Sequence, residues 1–356
     1  MQQNVRIKEL DDWKWIAAFL VIAIHTSPLE SVSEFADFIL TREIGRIAVP
    51  LFFMITGYFV LQKNEVIGSL KKLLIMYLKV TLLYLPIQIY RYVPFEQFHF
   101  TEVVKGILKA IFFEGTYYHL WYIPAVIEGL IIVYLLLKLG KRTAFFISTI
   151  LYVLGLLGDS YYGMMKQNPL CSQVYEGMFT LFSHTRNGIF FAPLFILLGY
   201  SLSSVHIKQK KRALCYFIFC LLLMCVEGLL LHFAGWQRHD SMYVFLPFCM
   251  LFLFLYLTAD GDQKYQFSWS SRWREGPMLL YFIHPYVILL IRGFVKITGL
   301  TFFINCSPLY YVMVLSISTI VVMGYLWCKD KCMIQKGKAH VSERKTRESM
   351  DGNIHS

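Results

Sequence analysis

The sequence predicts an all-α membrane protein, a polytopic bundle of about ten transmembrane helices with both termini in the cytoplasm. Hydrophobic residues make up 57% of the 356 residues and charged residues only 16%, against about 25% charged residues in an ordinary soluble domain. The mean hydropathy is +0.53. Because a soluble fold with this composition would expose large apolar patches, the composition argues against a soluble enzyme and indicates that a bilayer surrounds much of the chain.

Apolar runs that suit a membrane crossing recur along the chain, each near the length of about 20 residues that a transmembrane helix needs. In order they are 13–29, 44–62, 71–90, 119–138, 143–158, 188–204, 212–233, 242–258, 277–296 and 308–328. The first run is not expected to be a cleavable signal peptide, because Glu9, Asp11 and Asp12 precede it and no small-residue cleavage site follows.

The orientation follows from the positions of lysine and arginine. Of the 34 such residues, 23 fall on the side of the N-terminus, 10 fall on the other side and Lys79 lies within a run. Positive residues are enriched in cytoplasmic loops, so both termini are predicted to be cytoplasmic and the protein is expected to be a multi-pass protein of a cell membrane. This asymmetry explains the net charge of +11 without nucleic acid, since no basic stripe is interleaved with stacking aromatics.

Three segments outside the runs have distinct patterns. Residues 91–118 place apolar side chains at helical spacing and predict a helix lying in the membrane interface. Residues 159–187 are rich in Tyr, Gly and hydroxyl residues and predict an ordered external loop. Residues 334–356 are polar with almost no core residues and predict a cytoplasmic linker or tail, so the transmembrane domain is expected to be 1–333.

The eight cysteines form no CxxC pair and no zinc-ligand spacing, so no metal site is expected. Most are interpreted as small buried hydrophobic residues. Cys171 and Cys306 fall in predicted external segments, where a disulfide between them is an alternative.

Lys14 and His25 are the first candidate functional residues. They are eleven residues apart, about three helical turns, so both side chains share one helix face about 16 Å apart along the axis. Two interpretations stay open. The pair lines a path through the bundle, or Lys14 extends to the cytoplasmic surface while His25 caps the helix end.

Polar and aromatic side chains also gather at the predicted outer ends of the runs, where they form either a binding site or ordinary interface anchors. They are Arg46, His119, Trp121, Tyr122, Arg186, Asn187, Arg238 and Asp240. His284 lies within a run beside Pro285 and either joins a site or satisfies a backbone carbonyl that the proline frees.

The usual hydrolase, zinc-protease and nucleotide motifs are missing from the sequence, but a membrane enzyme motif is present. Lys14 and His25 match the (Arg/Lys)-x10-His motif of the acyltransferase-3 family, and GRIAVPLFFMITGYF, HLWYIPA and FIHPY resemble that family's other landmarks in order. Within the family, GTYYHLWYIPAVI, LGLLGDSYYG and TRNGIFFAPLF resemble the membrane domain of VanT-type serine racemases of vancomycin-resistant bacteria. The resemblance covers roughly residues 10–330.

The resemblance implies two functions. In an acyltransferase, acyl-CoA donates an acyl group to a hydroxyl acceptor, with His25 as general base and Lys14 holding the donor. Lysine stands where arginine is commoner, and it lacks the bidentate fork of arginine. In a VanT-type protein, the membrane domain helps to supply L-serine to a C-terminal racemase that makes D-serine. The cofactor of that racemase, pyridoxal phosphate (PLP), would belong to the racemase domain, and none is expected within these residues.

The sequence therefore favours a VanT-type membrane domain that binds or imports L-serine, and leaves open whether acyl transfer is retained. A membrane O-acyltransferase is the alternative and a structural anchor is the third. A serine site needs a cation for the carboxylate and an anion for the ammonium. Arg186 is expected to supply the cation and Asp240 the anion. Arg238 and Asp240 could instead only pair with each other at the surface.

Overall fold

A computed structural model describes residues 7–62, 65–92, 100–205, 207–259 and 270–352 of the chain. Within those residues the secondary structure is helical and contains no strand, which confirms the all-α fold class. The chain divides into two compact units, Met1–Lys264 and Tyr265–Ser356.

The first unit contains eleven helices among the described residues, which coincide with the first eight predicted runs and the segments between them. They are α1 (Lys8–Thr26), α2 (Glu34–Leu61), α3 (Val66–Tyr92), α4 (Phe100–Lys109), α5 (Tyr122–Lys138), α6 (Lys141–Leu157), α7 (Tyr162–Lys166), α8 (Pro169–Leu181), α9 (Ala192–Leu202), α10 (Lys210–Phe233) and α11 (Leu246–Thr258). The second unit contains α12 (Ser270–Thr298), α13 (Phe302–Asn305) and α14 (Ser307–Gly352).

Four helical stretches among the described residues are long and apolar enough to cross a membrane. They are Glu34–Leu61, Lys210–Phe233, Trp273–Thr298 and Ser307–Cys332. Helices α9 and α11 are apolar but shorter. The full set of ten crossings and the cytoplasmic position of both termini stay predictions.

Helix α2 begins ten residues before the predicted run at 44. The Ser33 side chain caps it by accepting a hydrogen bond from the Ala36 amide at 3.2 Å, a local signal that hydropathy does not contain. The helix is also irregular, since π turns at Ile39–Glu43 and Gly57–Leu61 flank a 3-10 turn and an α segment that contains Pro50. Proline removes one backbone hydrogen bond and crowds the preceding turn, so Pro50 accounts for the irregular turn that precedes it.

Helices α2 and α9 cross at close range. A Cβ atom at Gly57 would lie 1.9 Å from the Ile196 carbonyl oxygen, and a Cβ at Gly199 would lie 2.0 Å from that of Met54. Only glycine permits this backbone approach, as at many helix contacts in membranes. The crossing anchors α2, whose N-terminal half carries Arg46.

The predicted interface segment is helical from Phe100 through the π turn that ends at Glu114. Its apolar side chains Val104, Ile107, Leu108, Ile111 and Phe112 are 37–54% exposed. An exposed apolar strip of this kind suits the boundary between lipid and water, although its position in a bilayer stays a prediction. Phe98, which belongs to the same predicted pattern, lies outside the described residues.

The predicted external loop 159–187 is ordered by α7 and α8, with the Asn168 side chain capping α8 through the Leu170 and Cys171 amides. The predicted linker is helical as far as Gly352, as the last part of α14. Its Lys, Arg and Glu content favours helix, and its role as a linker stays a prediction. Cys171 and Cys306 lie in different units of the chain, and the alternative of a disulfide between them stays a prediction.

Candidate functional site

Charged side chains meet where α2 approaches the segment between α10 and α11. The Arg46 Nη2 atom lies 2.7 Å from the Asp240 Oδ1 atom, and the Arg42 Nη1 atom lies 3.3 Å from Asp240 Oδ2. The Arg46 side chain is only 7% exposed, whereas that of Arg42 is 50% exposed. Burial alone would raise the pKa of Asp240, but the charges of Arg46 and Arg42 outweigh it and hold that pKa below its ordinary value. Asp240 is therefore an ionised carboxylate with an arginine at each oxygen.

Arg186 lies beside this pair. Its Nη1 atom donates to the Ser241 hydroxyl at 3.3 Å, and its guanidinium carbon lies 5.1 Å from the centre of the Trp121 ring. Its buried Nε atom has no hydrogen-bond partner among the described residues. Burial, followed by the charge of Arg46, lowers the pKa of Arg186 to about 10. Arg186 therefore stays cationic at neutral pH and keeps donor capacity for a ligand.

Asp159, which follows α6, joins the same region and is fully buried. Its Oδ1 atom accepts hydrogen bonds from the Ser241 amide at 2.7 Å, the Met242 amide at 3.1 Å and the Ser160 hydroxyl at 3.1 Å. Its Oδ2 atom is buried and has no partner among the described residues. Burial raises the pKa of Asp159 to about 7. Asp159 therefore fixes the chain next to Asp240 and exchanges its own proton near neutral pH.

Two histidines in the neighbouring loops do not add to the positive charge. The rings of His184 and His239 lie 4.2 Å apart between centroids. Burial, together with the charge of Arg186, lowers the pKa of His184 to about 3 and that of His239 to about 4. Both are neutral at physiological pH, so the positive charge comes from the arginines.

The balance of the cluster is cationic. Arg42, Arg46 and Arg186 face one ionised carboxylate, that of Asp240, and the partly protonated carboxyl of Asp159. Excess guanidinium groups in a partly desolvated setting suit a ligand carboxylate, which two parallel N–H groups bind well.

Asn187, a predicted binding residue, organises the turn next to Arg186. Asn187 is buried, donates to the His184 carbonyl at 3.1 Å and accepts from the Ile189 and Phe190 amides at 2.9 and 3.1 Å. Asn187 therefore shapes the turn that presents Arg186.

Arg238 donates to the Ser183 carbonyl at 3.0 Å and lies over the Phe179 ring. Asp240 takes Arg46 and Arg42 as its ion-pair partners instead. The alternative in which Arg238 and Asp240 only pair with each other at the surface therefore does not describe this loop.

The remaining aromatic candidates separate from one another. Trp121 faces Arg186, whereas the Tyr122 ring packs against Phe53 at 5.1 Å. His119 is buried beside the Tyr84 ring at 5.1 Å. Of the three, Trp121 is the one that the structure brings to the arginine cluster.

His25 lies in the last turn of α1, and Lys14 lies in the second turn, toward the other end. The His25 ring contacts the Tyr118 ring at 5.0 Å, and Tyr118 contacts the His119 ring at 5.4 Å. Lys14 Nζ forms an ion pair with Asp11 Oδ1 at 2.7 Å. The spacing argument missed Asp11, although an acidic residue three positions earlier on a helix is a readable signal.

His284 lies in α12 of the second unit, where its Nδ1 atom lies 3.1 Å from the Leu280 carbonyl oxygen. This contact fits the interpretation in which the histidine satisfies backbone carbonyls near Pro285.

The sequence interpretation also missed three acids of the first unit, namely Asp159, Glu43 and Glu227. Glu43 is fully buried and accepts from the Tyr243 hydroxyl at 2.9 Å. Glu227 accepts from the Val244 and Phe245 amides at 2.6 and 3.0 Å, which caps the start of α11. An acid within an apolar run or directly next to one is the signal that could have identified all three. No cluster of metal ligands occurs among the described residues.

Long apolar helices, together with charged side chains gathered at helix ends, define this chain as an all-helical integral membrane protein. Comparison with known families identifies the kind. The acyltransferase-3 model, described as an acyltransferase domain, matches residues 7–328, and the chain belongs to that family.

Curated relatives are racemases. An amino-acid racemase of Enterococcus faecalis is 35% identical over 98% of this chain and 50% of its own length. A second amino-acid racemase of Enterococcus faecalis is 42% identical over 75% of this chain and 40% of its own. A serine/alanine racemase of Enterococcus gallinarum is 35% identical over 79% and 41%. The chain thus spans about half or less of these relatives. No solved structure matches it.

Proposed function

We propose that this chain is the membrane domain of a VanT-type serine racemase and that it binds L-serine, for import, at the cluster of Arg186, Arg46 and Asp240. The single observation that carries the proposal is the excess of guanidinium groups around one ionised carboxylate, with Arg186 holding spare donors beside Trp121. Lysine and arginine asymmetry supports ten crossings of the bacterial cell membrane with both termini inside, so the cluster faces outward.

The relatives support the choice of ligand. Their names describe racemases of amino acids, and one name specifies serine and alanine. An amino acid is a zwitterion with a carboxylate that suits Arg186. The D-serine would be made by a racemase domain that uses PLP, and no residue of this chain is assigned to that cofactor.

A ligand can bind the cluster without breaking its strongest contact, that between Arg46 and Asp240. The Arg42 pair with Asp240 is longer than the Arg46 pair and is half-exposed, and exposed pairs contribute only about 0–1 kcal/mol. The ammonium group of a ligand can therefore take the place of the Arg42 guanidinium at Asp240 while the Arg46–Asp240 pair stays intact. Arg186 gives its Nε atom and its second amino group to the ligand carboxylate.

Binding of radiolabelled L-serine to purified protein tests the proposal, with Arg186→Ala compared against Arg212→Ala. Arg212 is an exposed arginine of α10 that contacts Gln209, so it controls for the loss of one positive charge. Loss of a desolvated charge contact costs about 2–5 kcal/mol, which is about 30-fold or more in the dissociation constant. Equal L-serine affinity in the two variants would remove the site.

A membrane O-acyltransferase is the second candidate, favoured by the family model and by His25 and Lys14 on one helix. In that function His25 takes the proton of an acceptor hydroxyl, and Lys14 holds acyl-CoA from the cytoplasmic side. Release of free CoA from acetyl-CoA that depends on His25, and that disappears in His25→Ala, would favour it. A structural anchor would show neither this reaction nor L-serine binding.

A further inference from the structure

An ammonium group needs a carboxylate with an unoccupied oxygen. Asp159 has such an oxygen, and Asp240 does not. Both oxygens of Asp240 are engaged by arginines. Asp159 is more deeply buried and offers an oxygen, Oδ2, that has no hydrogen-bond partner among the described residues. Buried carboxylate oxygens are almost always paired, so an orphaned one calls for an explanation.

The other oxygen of Asp159 fixes the orientation of the carboxyl group. Oδ1 accepts from two consecutive backbone amides, Ser241 and Met242, and from the Ser160 hydroxyl. These three donors leave the carboxyl little freedom to rotate. The orphaned Oδ2 atom is therefore held in place before any ligand arrives, which is the preorganisation that a binding site requires.

Arg186 provides the complementary half of the site. Its charge acts on the Asp159 carboxyl, and its Nη1 atom reaches Ser241, whose amide is bonded to Asp159. A cation and an anion are thus tied to the same residue, Ser241. An α-amino acid requires this arrangement, because its carboxylate and ammonium groups are attached to one carbon atom and need a cation and an anion close together.

We propose that Asp159 binds the ammonium group of the amino-acid ligand whose carboxylate Arg186 binds. This inference rests on the proposed function and assigns its anionic partner to Asp159 instead of Asp240. The Arg186 Nη1 atom keeps its 3.3 Å contact with Ser241 while its Nε atom and second amino group bind the ligand carboxylate, which leaves Oδ2 of Asp159 for the ammonium group. Ligands with a carboxylate but no ammonium lack this contact and bind weakly.

The assignment predicts a pH dependence with a definite sign. Only ionised Asp159 attracts an ammonium group, and burial places the pKa of Asp159 at about 7. L-serine affinity should therefore rise as pH increases through about 7 and level off above it. The charged and titratable groups facing Asp159 are Arg186, Arg238, Asp240 and Tyr152, and the arginines and Asp240 keep their charges across this range.

The test compares L-serine with 3-hydroxypropanoate, which has the same carboxylate and hydroxyl but no ammonium, in wild type, Asp159→Asn and Asp240→Asn. Asparagine keeps the Oδ1 acceptor for the Ser241 and Met242 amides and places an NH2 group where Oδ2 was. Wild type should prefer L-serine by about 30-fold or more. In Asp159→Asn this preference should fall to near unity, while 3-hydroxypropanoate affinity is retained.

Each other outcome overturns the proposal. If the preference collapses in Asp240→Asn and survives in Asp159→Asn, the ammonium belongs to Asp240. If Asp159→Asn loses both ligands equally, Asp159 only holds the loop. The pH dependence of wild type needs no variant, and a flat L-serine affinity between pH 6 and pH 8 (roughly one unit either side of the titration) also contradicts the assignment. Wild type that binds neither ligand removes the proposed function itself.

Discussion

Replacing Asp159 with asparagine should stabilise the protein at alkaline pH, because the wild-type carboxyl is ionised there in a fully buried position. Burial raises the pKa of Asp159 from 3.8 to about 7. An acid with a raised folded-state pKa is destabilising above its unfolded-state pKa, and the penalty grows until pH passes the folded-state pKa. Because of Asp159, the free energy of unfolding therefore falls as pH rises from about 4 to about 7. Above about pH 7 this effect is complete, and Asp159 lowers the free energy of unfolding no further.

The size of the effect follows from the shift. A shift of about three pKa units corresponds to about 4 kcal/mol at 1.36 kcal/mol per unit. Asparagine avoids this penalty but places an NH2 group at the orphaned position, and an unsatisfied buried donor costs about 1–3 kcal/mol. The net gain for Asp159→Asn is therefore about 1–3 kcal/mol above pH 7, and it should vanish or reverse near pH 5, where Asp159 is neutral.

Thermal unfolding in detergent at pH 5 and pH 8 measures this difference, and Asp159→Ala is the matched variant. Alanine removes the same buried charge but also removes the acceptor for the Ser241 and Met242 amides, so it should unfold at a lower temperature than Asp159→Asn at both pH values. A lower unfolding temperature for Asp159→Asn than for wild type at pH 8 would refute the reasoning. That result would show that the ionised carboxylate is stabilised by its three donors and by Arg186 despite its burial.

Three further predictions follow from single contacts or from the charge pattern. A cysteine at position 204, in a variant lacking the native cysteines, should react with a membrane-impermeant thiol reagent only after the membrane is opened; labelling of intact cells would disprove the predicted topology. Gly199→Ala should lower the unfolding temperature by an amount equivalent to about 1–3 kcal/mol or more, because a Cβ there meets the Met54 carbonyl oxygen; Gly177→Ala, with nothing within 4 Å, should be nearly neutral, and equal effects would argue against the close crossing. Glu227→Gln should also unfold at a lower temperature, because an NH2 group replaces one of the two carboxyl oxygens that accept from the amides at the start of α11; no change relative to the exposed Glu176→Gln would contradict that capping role.

The helices of the chain could be predicted from the sequence because the signal is local. Apolar runs mark their approximate positions without knowledge of any other segment. The same local view misplaced the start of α2, since the polar residues after Ser33 lower the hydropathy while the Ser33 side chain caps the helix. It also gave no signal that the end of α14 continues through a stretch with almost no core residues.

The partners within the candidate site could not be predicted, because they are distant along the chain. Arg46 and Asp240 are 194 positions apart, and Asp159 lies 82 positions from Ser241. Each of these contacts depends on how the helices pack, and hydropathy does not determine that packing. Residue type did identify Arg186 and Asp240 as candidate binding residues. It could not show that arginines contact both oxygens of Asp240, or that one oxygen of Asp159 has no hydrogen-bond partner among the described residues.

The two candidate functions place their anionic ligands near opposite ends of α1. Lys14 lies toward the start of α1, whereas the segment that carries Arg42 and Arg46 packs beside its last turn, where Gly45 approaches Ile24. The charges at these two places differ in their suitability for an anionic ligand. Acyl-CoA carries several phosphate charges, and the cation assigned to it, Lys14, is already bonded to Asp11 at 2.7 Å. Asp11 partly cancels the charge of Lys14, and a second acid, Glu9, lies in the same turn and pairs with Lys210. At the other end, three arginines face one ionised carboxylate, and Arg186 keeps an unbonded Nε atom. Because attraction of an anion depends on the uncompensated charge that it meets, the arginine cluster is the better anion site of the two. This difference supports the binding of a small carboxylate at the Arg186 end over the handling of acyl-CoA at the Lys14 end.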